Sequence, residues 1–359
     1  MTPDMEGLKK NFIERFRYRA VFSDDMKKWD DICKKCNYIP VEYLSTSLCY
    51  QHTYVQCFNE SVTDLSVVIY GQNEAICCWP LTLIVNGNKG ILSTNEKEVL
   101  PPIFVPGTPT TTKNHVIGDC LNAINAVFFS LRTSGIEIDT WQTRCSQLID
   151  MSRNSAFWYR RCMENNGETD VITDLYVDLR MDLDEIHACL RKRYKALINR
   201  AGRLWNTEIL DHLTDEETYY FRQRHIEVAG RETRSLQTWL MQQLAVNSGY
   251  AFVVKLMDCD GNFVGESLFE HSRDECSYSV GVYNRQLFDE PISHIVQWAA
   301  IKHMKTLGLS RYKIGQRFYP GRTLNLRTPT PKELSISYFK EGFATDYIHT
   351  LIVTNRVKD

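Results

Sequence analysis

Tyr250-Ala-Phe-Val-Val-Lys-Leu-Met257, followed by Asp258-Cys-Asp-Gly261, Phe263-Val-Gly-Glu-Ser-Leu-Phe269 and Cys276-Ser-Tyr-Ser-Val-Gly-Val282, decides the fold. Ala251–Leu256 is an apolar strand, and Asp258–Gly261 is a hairpin signal because glycine tolerates positive φ. Two more strands follow, Phe263–Phe269 and Cys276–Val282. A helix over about 292–307 comes next, stopped by Gly308, where a left-handed residue is wanted. Arg311–Ile314 then returns as a last strand. Three strands, a helix and a return strand predict an α+β layer with the helix on one sheet face.

The same order of parts precedes it, over Leu65–Thr140. Leu65–Tyr70 and Ala75–Val85 flank a turn, Asn86-Gly87 leads into Lys89–Ser93, and an apolar helix covers Val116–Leu131 before a strand at Ile136–Thr140. The paired prolines in Val99-Leu-Pro-Pro-Ile-Phe-Val105 restrict that segment to an edge or a strand entry. Helices are predicted at Leu8–Tyr18 and Leu44–Phe58. Between the two copies, Leu183, Ile186, Leu190, Tyr194, Leu197, Ala201 and Leu204 form one helical stripe. Arg191, Lys192, Arg193, Lys195, Arg200 and Arg203 occupy the opposite face. Helices at about 215–229 and 236–246 complete this insertion. The expected architecture is two mixed-sheet α+β domains packed together, residues 1–165 and 166–359, with a helical insertion over 183–248.

At 359 residues the chain is long for one core. Its 43% apolar and 24% charged content is that of a soluble globular protein, and its net charge of −2 gives no bulk attraction to nucleic acid or membrane. No run approaches the roughly 20 apolar residues that span a bilayer. The first residues have neither a basic start nor an apolar segment, which predicts no secretory leader and a cytoplasmic location. The twelve cysteines are scattered, several of them (Cys77, Cys78, Cys259) assigned to apolar strands, and read as small buried hydrophobes in a reducing compartment. Cys33-x-x-Cys36 is half a zinc site, with only Cys49 and Cys57 nearby. Neither a metal nor a redox cofactor is expected.

Three stretches carry a family resemblance: Leu190-Arg-Lys-Arg-Tyr-Lys-Ala-Leu-Ile-Asn-Arg-Ala201, Ser293-His-Ile-Val-Gln-Trp-Ala-Ala-Ile-Lys302 through Gly308 to Tyr312-Lys-Ile-Gly315, and Tyr338-Phe-Lys-Glu-Gly-Phe-Ala344. The second copy resembles the GNAT acyltransferase fold. The duplicated layout resembles the FemA/FemB/FemX-like peptidyltransferases, whose terminal Phe-Lys-x-Gly-Phe-Gly signature Tyr338–Ala344 matches except for Ala344. The resemblance covers about 175–345 and is faint before that. It implies transfer of an aminoacyl group from tRNA to an amine of a cell-wall or surface-glycan precursor, forming an amide, with residues 1–165 as the docking surface for the acceptor.

The resemblance gives Lys340 the role of a cation beside the developing oxyanion, walled by Phe339 and Phe343. On its own residues, Lys340 reads instead as a snorkelling lysine between core phenylalanines. His294, at the start of the central helix, is a candidate proton acceptor or a locally bonded helix-end residue. Arg193, Arg200 and Lys195 are candidates for a phosphate-bearing substrate, and equally for a solvated helix face. Tyr278, Tyr283 and Gln316 are candidate substrate-pocket groups. The loop Tyr283-Asn-Arg-Gln-Leu-Phe-Asp-Glu-Pro291 has no glycine and two acids, a poor cradle for pyrophosphate. Aminoacyl-tRNA is therefore preferred to acyl-CoA as donor. A CoA-dependent amino-sugar N-acyltransferase and a non-catalytic binding module are the rival readings.

Overall fold

The computed structural model describes residues 4–23, 26–146, 153–322 and 328–356, with side chains from 158 onward in the third segment. The first three residues, on which the leader expectation partly rests, lie outside these. The chain divides into two compact units: Met1–Ile39, Tyr43–Val171 and Thr350–Asp359 form one, and Pro40–Glu42 with Ile172–His349 the other.

In the first unit the sheet expected as one piece is two. Arg19–Phe22, Val67–Gly71, Glu74–Trp79 and Ile103–Phe104 form a four-stranded sheet, and Ser61–Asp64, Thr82–Asn86 and Lys89–Ser93 a three-stranded one. Pro80, which has no N–H to give a ladder, separates Trp79 from Thr82 and ends what the sequence suggested was a single strand. The proline-bearing segment supplies only Ile103–Phe104, an edge strand. The long helix is Thr110–Thr133. The strand after it is Thr140–Ser146, later than expected, and it pairs with Thr350–Arg356 from the other end of the chain. The resemblance between the copies is thus one of element order more than of sheet pairing. Phe12, Trp79, Phe128 and Trp158 anchor this core, each at most 1% exposed.

Inside that core, Asp119 accepts from the Arg17 backbone N–H at 3.1 Å and from its Nε at 3.0 Å. Asp119 is 1% exposed, so without those donors its charge would be stranded. Cys33 and Cys36 are buried too, with thiols directed at the Tyr43 and Ile32 carbonyls. Cys259, by contrast, is exposed in the hairpin turn and not in a strand. Among the described residues no group of three or more potential ligands could hold a metal, and no helix is long and apolar enough to cross a membrane.

In the second unit, six strands run in the order Asn206–Leu210, Ala251–Met257, Phe263–His271, Glu275–Tyr283, Arg311–Arg317 and Glu168–Asp178, the last shared with the first unit. All neighbours are antiparallel except Glu275–Tyr283 and Arg311–Arg317, which the helix Ile292–Thr306 joins in parallel. Phe252, Val254 and Leu256 face Ile292–Thr306 and Lys192–Leu204, whereas Ala251 and Val253 face Asp215–Ala229 and Leu236–Asn247. That alternation is the two-residue period of a strand buried on both faces. Asp215–Ala229 starts at a Thr214/Glu217 capping box and stops at Gly230, φ +72°. The helix expected over 183–204 is broken into Leu183–Cys189 and Lys192–Leu204. The extended Arg191 gives its N–H to the Gly342 carbonyl at 2.9 Å, a tertiary bond that the apolar stripe does not announce.

Asp119→Ala leaves the Arg17 donors without their acceptor. It should lower unfolding free energy by about 2 kcal/mol, measured as a reduced urea midpoint at unchanged slope.

Candidate active site

Strands Glu275–Tyr283 and Arg311–Arg317 stay paired for three residues only: Glu275 with Arg311, Cys276 with Tyr312 and Ser277 with Lys313. Each then breaks register with its outer neighbour. Ser279 has no partner between Leu268↔Val280 and Phe269↔Tyr278, and Ile314 none between Lys313↔Tyr176 and Gly315↔Leu175. A bulge bends the strand that carries it, so two bulges past the last paired residues let the strands part.

Three hydroxyls converge beside this parting. Ser267 Oγ lies 2.8 Å from Tyr283 Oη, and Tyr278 Oη joins the same hydrogen-bonded group. A Cβ at Gly281 would collide with Tyr278 Oη and stand 2.7 Å from Ser267 Oγ, so only glycine leaves them room. Burial pushes the Tyr278 and Tyr283 phenols up, keeping them neutral donors.

Helix Pro331–Glu341, begun by a Thr330/Glu333 capping box with proline in its first turn, brings Lys340 to this place. Lys340 is half-buried. Its Nζ stands 5.4 Å from the Tyr278 ring centroid and 2.8 Å from where a Cβ would sit on Gly315. Gly315 has φ +154°, a conformation other residues avoid, so position 315 excludes a side chain on two grounds. Among the described residues Lys340 has no ion pair, and burial alone lowers its pKa.

The remaining signature residues pack elsewhere. Phe339 and Phe343 stand 5.0 and 6.2 Å from the His294 ring and 5.7 and 5.0 Å from that of Tyr194. The aromatic face offered to the Lys340 ammonium is therefore that of Tyr278, not of the phenylalanines expected to wall it. Tyr194 donates to the Phe339 carbonyl at 3.0 Å. Its ring occupies the space a Cβ on Gly342 would need, which is why the motif carries glycine there. Ala344 takes no positive φ, so the missing final glycine costs the backbone nothing.

His294 is wedged edge-on between these rings, 4.5 Å from Tyr194, with Nε2 buried and unbonded among the described residues. Burial, then the Arg193 charge, depress its pKa to about 4. Arg193 itself is exposed. Arg200 is engaged by Glu290 at 2.5 Å, tying the 284–291 loop to helix Lys192–Leu204. Lys195 gives its ammonium to the Ala188 carbonyl at 3.1 Å, closing the previous helix. Gln316, half-buried, pairs with Asp174 in the neighbouring strand, one residue from Gly315. The structure thus gathers Lys340, Tyr278 and Tyr283 at one place and His294, Phe339 and Phe343 at another. Sequence reasoning missed Ser267, Gly281, Gly315 and Tyr194. A lone glycine inside a strand, as at Gly281, is the signal that could have pointed to a close approach.

An imidazole held neutral to about pH 4, against an ordinary 6.5, binds fewer protons in the folded than in the unfolded chain between those values. Folding stability should therefore fall as pH drops through that window. The loss should be smaller in His294→Gln, read from urea midpoints at neutral and mildly acidic pH.

No family model matches this chain, and no curated protein sequence matches it. Solved structures do. FemX is 9% identical over 93% of this chain and 96% of its own, with a TM-score of 0.62. L-PGS from Bacillus licheniformis is 13% identical over 92% and 91%, TM-score 0.54. The C-terminal domain of a candidate lysylphosphatidylglycerol synthetase from Agrobacterium fabrum is 12% identical over 92% and 91%, TM-score 0.53. At such identities what is shared is the fold, a mixed α+β architecture that runs through nearly the whole of each chain.

Proposed function

We propose that this protein transfers an aminoacyl group from aminoacyl-tRNA to an amine of a cell-wall or surface-glycan precursor, forming an amide. One observation carries the reading: a half-buried ammonium with no ion pair among the described residues, seated where two parallel strands part. A cation held in a water-poor place without a counter-ion is ready for negative charge that appears only during reaction. The shared fold with the C-terminal domain of a candidate lysylphosphatidylglycerol synthetase supports this reading. The glycine-free, acidic loop 283–291 speaks against a CoA pyrophosphate.

The acceptor amine attacks the ester carbonyl, the C–N bond forms, and the oxygen takes up the electron pair. Lys340 Nζ stabilises that oxyanion, with the Tyr278 and Tyr283 hydroxyls as further donors. Collapse breaks the C–O bond to the donor, and the amine's proton ends on the departing oxygen. His294, wedged among the rings of Tyr194, Phe339 and Phe343 and apart from Lys340, supports the segment that carries the lysine and takes no part in moving that proton. Direct transfer needs no enzyme nucleophile, only alignment of two substrates. Arg193 is the proposed phosphate contact of the bound substrate, Arg200 holds the 284–291 loop through Glu290, Phe339 and Phe343 fix the segment carrying Lys340, and Gln316 lies on the same strand as Gly315. Lys195 contributes at most to the local charge, since its ammonium closes a helix.

Lys340→Met should reduce kcat about 10²–10³-fold with aminoacyl-tRNA as donor while KM changes little. Gly315→Ala should also lower kcat by pushing Nζ aside with the lysine chemically intact. Unchanged turnover in Lys340→Met would leave the fold as a binding module. Thermal stabilisation by acyl-CoA but not by aminoacyl-tRNA would assign the other donor.

A further inference from the structure

Around the C-terminal end of helix Pro331–Glu341, guanidinium and phenol groups alternate in a row. Arg191 Cζ lies 3.8 Å from the Tyr338 ring centroid, and Arg317 Cζ lies 5.6 Å from that ring and 4.9 Å from the Tyr319 ring. Tyr338 remains 54% exposed with Arg191 against it, Tyr319 39% and Tyr347, beside Glu341, 50%. Glu341 pairs with Arg191 at 3.5 Å and Arg317 at 2.9 Å, so one carboxylate serves two cations and the row keeps a net positive charge. Lys192 and Arg193 follow Arg191 directly, exposed and without an ion pair among the described residues. The row is fixed to the candidate site through the backbone. Arg191 Nη2 donates to the Tyr338 carbonyl at 3.0 Å, and Tyr194, three residues on, to that of Phe339.

Three exposed tyrosines in one cluster are an unusual outlay on a soluble surface unless their faces are used. Flat rings interleaved with flat cations are what unpaired nucleobases stack on, with the adjoining lysine and arginine following the phosphates. A membrane surface would call instead for aliphatic side chains flanked by lysines, which this row lacks. A base-paired duplex hides its base faces and would gain only the charge contacts.

From this we infer that the Arg191–Tyr338–Arg317–Tyr319 row binds the single-stranded end of an RNA. This rests on the reading that the acyl donor is an RNA ester, and it names the surface that would hold the donor's unpaired end next to Lys340.

The test measures fluorescence anisotropy of a labelled single-stranded oligoadenylate, an abasic oligomer of equal length and an RNA duplex against the full chain. Oligoadenylate should bind more tightly than either control. Tyr338→Ala and Tyr319→Ala should each weaken it by roughly fivefold or more. The double variant Lys192→Glu, Arg193→Glu should shallow the salt dependence by about one unit or more in the log–log slope. Equal binding of the abasic oligomer, or no effect of either tyrosine substitution, overturns the inference. A parallel assay uses a short aminoacyl ester without a nucleotide tail. If Lys340→Met abolishes that transfer while the tyrosine variants bind RNA like wild type, the stacking surface is wrong and the transferase reading stands. If the tyrosines control RNA binding and Lys340→Met still transfers, the converse holds.

Discussion

Lys340 can lie against the sheet because position 315 has no side chain. The close approach of Nζ to Gly315 requires that strand Arg311–Arg317 leave its parallel neighbour after Lys313, and the unmatched residues Ser279 and Ile314 accomplish the parting. It also requires that the segment after helix Pro331–Glu341 be held from outside. Arg191, Tyr194 and Glu341 do this by bonds to the carbonyls of Tyr338, Phe339 and Gly342 and by the Arg317 ion pair. Removing the side chain at 315 and at 342 is thus one steric solution used twice, once for an ammonium and once for the Tyr194 ring.

The placement of acids gives the site its polarity. Glu266 is buried and bound to Arg224 at 3.1 Å, and Glu270 accepts from Ser279, both on the face covered by Asp215–Ala229 and Leu236–Asn247. Glu275 accepts from the Val41 N–H and the Tyr176 hydroxyl. Buried carboxylates are costly unless partnered, and each of these has its partner away from Lys340. Against the ammonium stand the neutral Tyr278 ring and the bare Gly315 backbone. Such a place favours a group that becomes negative over one that is permanently positive.

In the second unit the four strands between Ala251 and Arg317 were legible, since their hydrophobic runs, the Gly261 turn and the Gly308 stop are local signals, whereas Glu168–Asp178 and Asn206–Leu210 were not read as strands. The first unit was less so. A single proline at position 80 moved Thr82–Asn86 into another sheet, and the partner of Thr140–Ser146 lies two hundred residues along the chain, where no local pattern reaches. The basic helix taught the same lesson. Its residues were read correctly as cationic, but Lys195 closes a helix and Arg200 holds Glu290, because an arginine's or lysine's partner is fixed by what folds beside it.

Only a family resemblance set Phe339-Lys-Glu-Gly-Phe343 apart from an ordinary helix end; by itself the sequence determined the strands between Ala251 and Ile314, the helix among them and the stops at Gly261 and Gly308. Those are properties of neighbouring residues, set by side-chain period, capping and the steric range of glycine and proline. Only the tertiary structure decided that Lys340 turns inward with no counter-ion among the described residues, that Tyr278 and not Phe339 or Phe343 faces it, and that Arg191 breaks a helical stripe. These depend on groups brought together from distant positions, and distance along the chain carries no record of which faces will meet.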